Sequence, residues 1–450
     1  VASTIQAGTF APARPHDSEA IASFLSGAAI TVLLSVCVLA PVVNFTGSLP
    51  WLRAEQLALL PICAVYAWLL FAGLARLVRF NALFVIAPIY CACILLSLFF
   101  GTYFLGHAFL YRDLYELPKA LFPIAFFTLG VEARLSEVWI RRSLALYSVA
   151  IFLVCLYAWA QWMDLGISHQ LSLVYSGGAH DDGALAHYRR VYSTMGNPNV
   201  LGQLMTWSIS AFTLALIFGV GSRLRNVVMV SCCLITLAMT GSRYGLLDTG
   251  LAFLLIFLLS FSVRERRRTL VLLLLALLPF FVAIVTVVAR SNQATLDRFQ
   301  TLSDPLQTDS LRGRLDELWP DASVAFTASP IVGNGSAKAI FTGIVTDSEY
   351  LDVLKEFGII GFLAYFAYFI YPLRLLCRGI RNTGRSDLSG ETHFPAAIAA
   401  LQLSFVMLIT AVVMNVGMST FYSEPLQGFF WLWMGIGVSI VRPDALPVRP

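Results

Sequence analysis

Apolar residues run through this chain in long blocks, separated by shorter polar stretches that carry most of the charge. The blocks fall near 21–43, 55–75, 81–100, 118–131, 143–161, 198–219, 226–240, 244–262, 270–289, 357–377, 395–415 and 426–441. A helix needs about 20 predominantly apolar residues to cross the hydrocarbon of a bilayer. The pattern therefore predicts an all-α polytopic membrane protein with about twelve transmembrane helices. The blocks at 118–131 and 226–240 are short for a span, which predicts tilted or partly buried helices there. The strands of an outer-membrane barrel would alternate polarity over about ten residues, and these blocks do not alternate.

Composition agrees with this pattern. Hydrophobic residues make up 58% of the chain and charged residues 12%. Soluble domains average about 45–50% and about 25% respectively. The net charge of +4 is scattered in short clusters between apolar blocks, so no basic patch points to nucleic acid. All eight cysteines lie inside or at the ends of apolar blocks, away from disulfide or zinc spacing.

Arginine placement orients the helices. With the N-terminus in the cytoplasm, the inside connections hold Arg76 and Arg79, then Arg134, Arg141 and Arg142, then Arg223 and Arg225. They continue with Arg264, Arg266, Arg267 and Arg268, and end with Arg374, Arg378, Arg381 and Arg385. The expected organisation is a cytoplasmic tail over 1–20, read as disordered, and helices one to nine over 21–290 with an external loop at 162–195. A large, partly helical external loop follows at 291–356, then helices ten to twelve over 357–441 and a cytoplasmic tail at 442–450. Connections as long as 291–356 are usually functional or disordered. No internal repeat is visible, which weakens an inverted-repeat transporter.

Four groups fall on the external side. Arg189 and Arg190 precede Gly196-Asn197-Pro198-Asn199. Thr240-Gly241-Ser242-Arg243-Tyr244-Gly245 lies at a tight turn between two helices. Arg312 and Arg314 lie close together in one segment, and Asp347-Ser348-Glu349-Tyr350 leads into Gly358-Ile359-Ile360-Gly361. Guanidinium groups suit bidentate capture of phosphate, so several on one face suggest an anionic ligand such as a pyrophosphate. A charge such as Arg243 between apolar helices must pair, face a wet cavity or snorkel to head groups. Asp347 and Glu349 are candidate bases, and capping of the following helix is the alternative role. His180-Asp181-Asp182 lacks further ligands at metal spacing. Asp248 lies inside an apolar block, a position that flags function by default.

Taken together, these segments resemble the O-antigen ligase and polymerase superfamily. Arg190 with Gly196-Asn197-Pro198-Asn199, Thr240-Gly241-Ser242-Arg243, and Arg312-Gly313-Arg314-Leu315 followed by Ser329-Pro330-Ile331-Val332-Gly333 occur in the family's order. So does Asp347-Ser348, separated by nine residues from Gly358-Ile359-Ile360-Gly361. The resemblance spans about residues 190–375. It implies a GT-C-like membrane glycosyltransferase of the bacterial inner membrane, with its site facing the periplasm. Its donor would be a glycan on undecaprenyl pyrophosphate. Its acceptor would be the lipid A–core for a ligase, or a second lipid-linked repeat unit for a polymerase. The implied chemistry inverts the anomeric centre and needs no metal or other cofactor. Arg190, Arg243, Arg312 and Arg314 would hold pyrophosphate, and Asp347 or Glu349 would act as base. Asn197, Asn199, Ser242 and Tyr350 would support them. Ligases carry histidine where this chain has Asp347, a departure that keeps the polymerase reading open. A transporter of a lipid-linked glycan is the remaining alternative.

Overall fold

The computed structural model describes residues 15–43, 52–53, single positions within 57–71, 81–175, 190–261, 264–291, 312–337, 346–388, 394–418 and 424–441. Their regular secondary structure is helical apart from one antiparallel pair of two-residue strands, Val42–Val43 with Leu52–Arg53. In chain order the helices are α1 (Pro15–Leu39), α2 (Leu83–Tyr103), α3 (Glu116–Glu132), α4 (Glu137–Trp162) and α5 (Gly166–Tyr175). Then come α6 (Pro198–Ile217), α7 (Arg223–Thr240), α8 (Arg243–Ser260), α9 (Arg264–Ser291), α10 (Trp319–Ala328), α11 (Glu349–Leu388), α12 (Pro395–Met414) and α13 (Glu424–Val441).

Nine helices among the described residues are long and apolar enough to cross a membrane, and two shorter apolar helices cover Ser26–Leu39 and Leu426–Val441. The chain is thus a multi-pass α-helical membrane protein. The expected span at 55–75 lies largely outside the described residues, as do both extreme tails, Arg189 and His180-Asp181-Asp182. α1 begins at Pro15, inside the stretch read as a disordered tail. Proline suits a first helical turn because it has no N–H to leave unsatisfied there. The two short blocks gain length from flanking polar residues: one span runs Tyr111–Glu132 and the other Arg223–Thr240.

α6 is the centre of the molecule, with 89% of its apolar window buried. It packs against α7, α8 and α12. α9 is the opposite case, with 11% of its window buried, so its apolar surface is left to lipid. Small residues set the close approaches. A Cβ on Gly130 of α3 would stand 2.4 Å from the Leu432 carbonyl, and one on Gly435 of α13 would stand 2.1 Å from that of Phe127. These two helices therefore meet backbone to backbone.

α11 is interrupted. Gly358 adopts φ 64° and ψ −170°, a conformation essentially reserved for glycine. The Pro330–Gly335 segment enters the break. Ile359 N–H donates to the Pro330 carbonyl at 2.9 Å, and Gly335 N–H donates to the Glu356 carbonyl at 2.9 Å. Gly333, at φ +87°, lies so close that a Cβ there would be 2.5 Å from the Gly358 nitrogen. Asn334 Nδ2 donates to the carbonyls of Ala325 and Lys355. The two glycine motifs, far apart in sequence, thus form one interlocked joint.

Candidate functional site

The site grows from two helix starts. Gly196 takes a left-handed φ of 66°, Asn197 caps α6 by accepting from Asn199 N–H, and Pro198 occupies the first turn. At the α7–α8 junction Gly241 takes φ 56°, and the Thr240 hydroxyl accepts from Ser242 N–H at 3.1 Å. Ser242 then caps α8 by accepting from Gly245 N–H. Asn197, Thr240 and Ser242 each satisfy a backbone N–H that a helix end would otherwise leave unpaired. Close contact between Gly202 and Gly245 holds the two starts side by side, with 3.1 Å from a Gly245 Cβ to the Gly202 Cα.

Arg190 joins them. Its Nε donates to the Thr240 carbonyl at 2.9 Å and its Nη2 to Asn199 Oδ1 at 2.8 Å. Ser242 Oγ donates to the same Asn199 oxygen at 3.0 Å. Arg190, Asn199 and Ser242 thus form one node across three chain segments.

Two residues further on, Tyr244 connects this node to the external segments. Arg314 Nη1 donates to the Tyr244 hydroxyl at 2.5 Å, and the guanidinium lies 5.1 Å from the ring centroid. Arg314 Nε and Nη2 both donate to Asp347 Oδ2, at 3.2 and 2.9 Å. The Arg314 side chain is 8% exposed and that of Asp347 48%, so the ion pair has one buried end and one open end. Arg314 opens a π-helical turn, Arg314–Leu318, an irregularity frequent at functional sites. Trp319 Nε1, just after the turn, donates to the Thr346 carbonyl and fixes Asp347's segment against it. Asp347 itself has φ 52°. This left-handed bend costs energy in a non-glycine residue and directs the carboxylate to Arg314 instead of to the α11 start. Arg243 lies within electrostatic range of both Tyr244 and Arg314.

The other expected residues sit elsewhere. Arg312 is exposed, two residues before the buried Arg314. Glu349 is fully buried on the far side of Asp347, where the Tyr365 hydroxyl donates to its Oε1. Tyr350 turns into an aromatic group with Phe362 and Phe366, and its hydroxyl donates to the Val412 carbonyl. Asp248 is 1% exposed, one helical turn below Tyr244, and lies beside the Thr410 hydroxyl of α12. That hydroxyl also accepts from Trp207 Nε1. Tyr244 lay inside the helix-junction segment but was given no role by the sequence. Its only signal was adjacency to Arg243 in the helix junction.

Residues 228–366 match the O-antigen ligase family. The chain thus carries the O-antigen ligase domain expected for the O-antigen ligase and polymerase superfamily. No curated protein matches the chain. The O-antigen ligase domain contains the helix junction with Tyr244, the Arg314 turn, the glycine joint and Asp347. Arg190 and Asn199 precede it and dock onto it through Thr240 and Ser242. The family consists of membrane glycosyltransferase-like ligases and polymerases, so the match over these residues supports an enzyme of that general kind.

Proposed function

We propose that the chain transfers a glycan from undecaprenyl pyrophosphate to an acceptor hydroxyl at the periplasmic face of the inner membrane, as an O-antigen ligase acting on the lipid A–core. The observation that carries this reading is the Arg314–Asp347–Tyr244 cluster, with Arg243 beside it. It sets a half-exposed carboxylate next to cationic groups on one side of the bundle. Arg314 Nε and Nη2 both donate to Asp347 Oδ2, which leaves Oδ1 as the oxygen to meet the acceptor.

In the proposed reaction the acceptor oxygen attacks the anomeric carbon and its proton passes to Asp347 Oδ1. The bond from the anomeric carbon to the pyrophosphate oxygen breaks, and the configuration inverts. Arg243 and the exposed Arg312 meet the negative charge gathering on the departing pyrophosphate. Arg314 holds the base in line. Arg190 secures the helix junction that carries Arg243.

A polymerase acting on lipid-linked repeat units is the second reading, favoured by the carboxylate at position 347. Deletion strains separate the two. Loss of a ligase leaves long glycan on undecaprenyl pyrophosphate, and loss of a polymerase leaves single repeat units on the core. The core reaction is tested with purified protein in detergent, lipid-linked donor and acceptor. Transfer without a sealed compartment, lost in Arg243→Ala and Asp347→Asn, supports an enzyme. Normal transfer in both variants removes the proposed site, and substrate movement only in sealed vesicles returns the transporter reading.

A further inference from the structure

A second concave site lies beside the arginine cluster. α3, α11 and α13 border a small, partly open cavity. The cavity is lined on one side by aromatic rings, among them Tyr90, Tyr368 and Trp431, and on the other by Glu116, Lys119, Glu349 and Gln427. Glu349, Glu116 and Gln427 sit at or near the N-terminal ends of α11, α3 and α13. Glu349 lies two residues after Asp347, so the cavity adjoins the site through the α11 start.

Its chemistry is the reverse of the arginine site. Glu116 is 2% exposed and Glu349 fully buried, so two carboxylates are held inside an apolar setting. A buried carboxylate there is costly and flags a role. Lys119 is the lone cation of the lining and is paired to Glu116 at 3.2 Å. An anionic ligand would meet two carboxylates against one ammonium, and a bare isoprenoid chain would give this polar wall nothing to hydrogen-bond. A neutral polyhydroxyl ring fits both walls. Its hydroxyls donate to Glu116 and Glu349 and accept from Gln427 and Lys119. Its C–H face, weakly positive, rests on the negative faces of the aromatic rings.

We infer that this cavity is a pyranose subsite, which takes one sugar ring of the glycan substrates while the arginine cluster takes the pyrophosphate. The inference rests on the proposed transfer only for which glycan supplies the ring. Ring binding itself is read without turnover.

The test uses full-length purified protein in detergent and methyl glycosides of glucose, galactose, N-acetylglucosamine and rhamnose as probes. Irradiating the aromatic protons should transfer saturation to the C–H protons of at least one glycoside. Glu116→Gln should weaken that binding about tenfold by removing a charge-assisted acceptor. Arg314→Ala should leave it unchanged, and inorganic pyrophosphate should not compete. In the transfer assay Glu116→Gln should raise one KM. A rise for acceptor assigns the ring to the acceptor, and a rise for donor assigns it to the donor; either supports the subsite. No saturation transfer from the wild-type protein, competition by pyrophosphate, or both KM values unmoved in a folded Glu116→Gln variant would overturn it. If Arg314→Ala transfers glycan normally, the transfer mechanism fails while the subsite stands on its binding data.

Discussion

Arg314 serves two neighbours at once, and that double contact decides how its loss should read. Its donors hold Asp347 on one side and the Tyr244 hydroxyl on the other. Arg314→Lys keeps the charge but replaces a planar fork with a point donor, so it should recover little of what Arg314→Ala loses. Asp347→Asn keeps the shape and still accepts from Arg314, but it cannot take up a proton at neutral pH. We expect kcat to fall about 100-fold or more with KM nearly unchanged, measured by single-turnover transfer. Tyr244→Phe removes one hydrogen bond to Arg314 and keeps the ring under its guanidinium. The expected cost is about tenfold in kcat. Asp347 and the arginines were legible from residue type and order. Tyr244 was not, because a tyrosine at a membrane helix end has an ordinary interfacial role, and only the contact with Arg314 distinguishes it.

At the scale of elements, the joint between the Pro330–Gly335 segment and the broken α11 positions the site. The break lies one helical stretch below Asp347, and the inserted segment follows directly on α10, which carries on from the Arg314 turn. Gly358→Ala would place a Cβ 2.4 Å from the Ile331 carbonyl at a φ of +64°. The expected destabilisation is about 3 kcal/mol, read as a lower thermal midpoint in detergent. Gly333→Ala should cost a similar amount. The double variant should cost less than the sum, because both changes open the same joint. Close approach of two membrane helices accounts for Gly130 and Gly435. Gly358 is different, because its backbone breaks α11. No local pattern reports that a distant segment will enter the helix there.

For the molecule as a whole, orientation is the open quantity with a direct test. The arginine-rich connections argue for cytoplasmic ends on α7, α9 and α11, which puts Arg312 and Asp347 outside. Cys377, exposed near the far end of α11, then faces the cytoplasm. A membrane-impermeant maleimide should label Arg312→Cys once the outer membrane is permeabilised, and Cys377 only after the inner membrane is opened. Labelling in the opposite order would invert the topology and move the proposed site to the wrong side for a periplasmic acceptor.

Alone, the sequence determined the solvent of this protein. Its long apolar blocks leave water-soluble folds no way to bury them, and hydrocarbon forces each span to satisfy its backbone internally. Order and type of the polar residues between blocks were enough to mark the helix junction, the arginine segment and Asp347, because caps and left-handed turns demand particular residues locally. Only tertiary structure decided their partners. Arg314 over Arg312 as the buried guanidinium, Asp347 over Glu349 as the carboxylate it meets, and the aromatic cavity that takes Glu349 all depend on which way short connections turn. A two-residue shift in such a segment changes the direction of a side chain completely, and nothing local to the chain encodes which neighbour waits there.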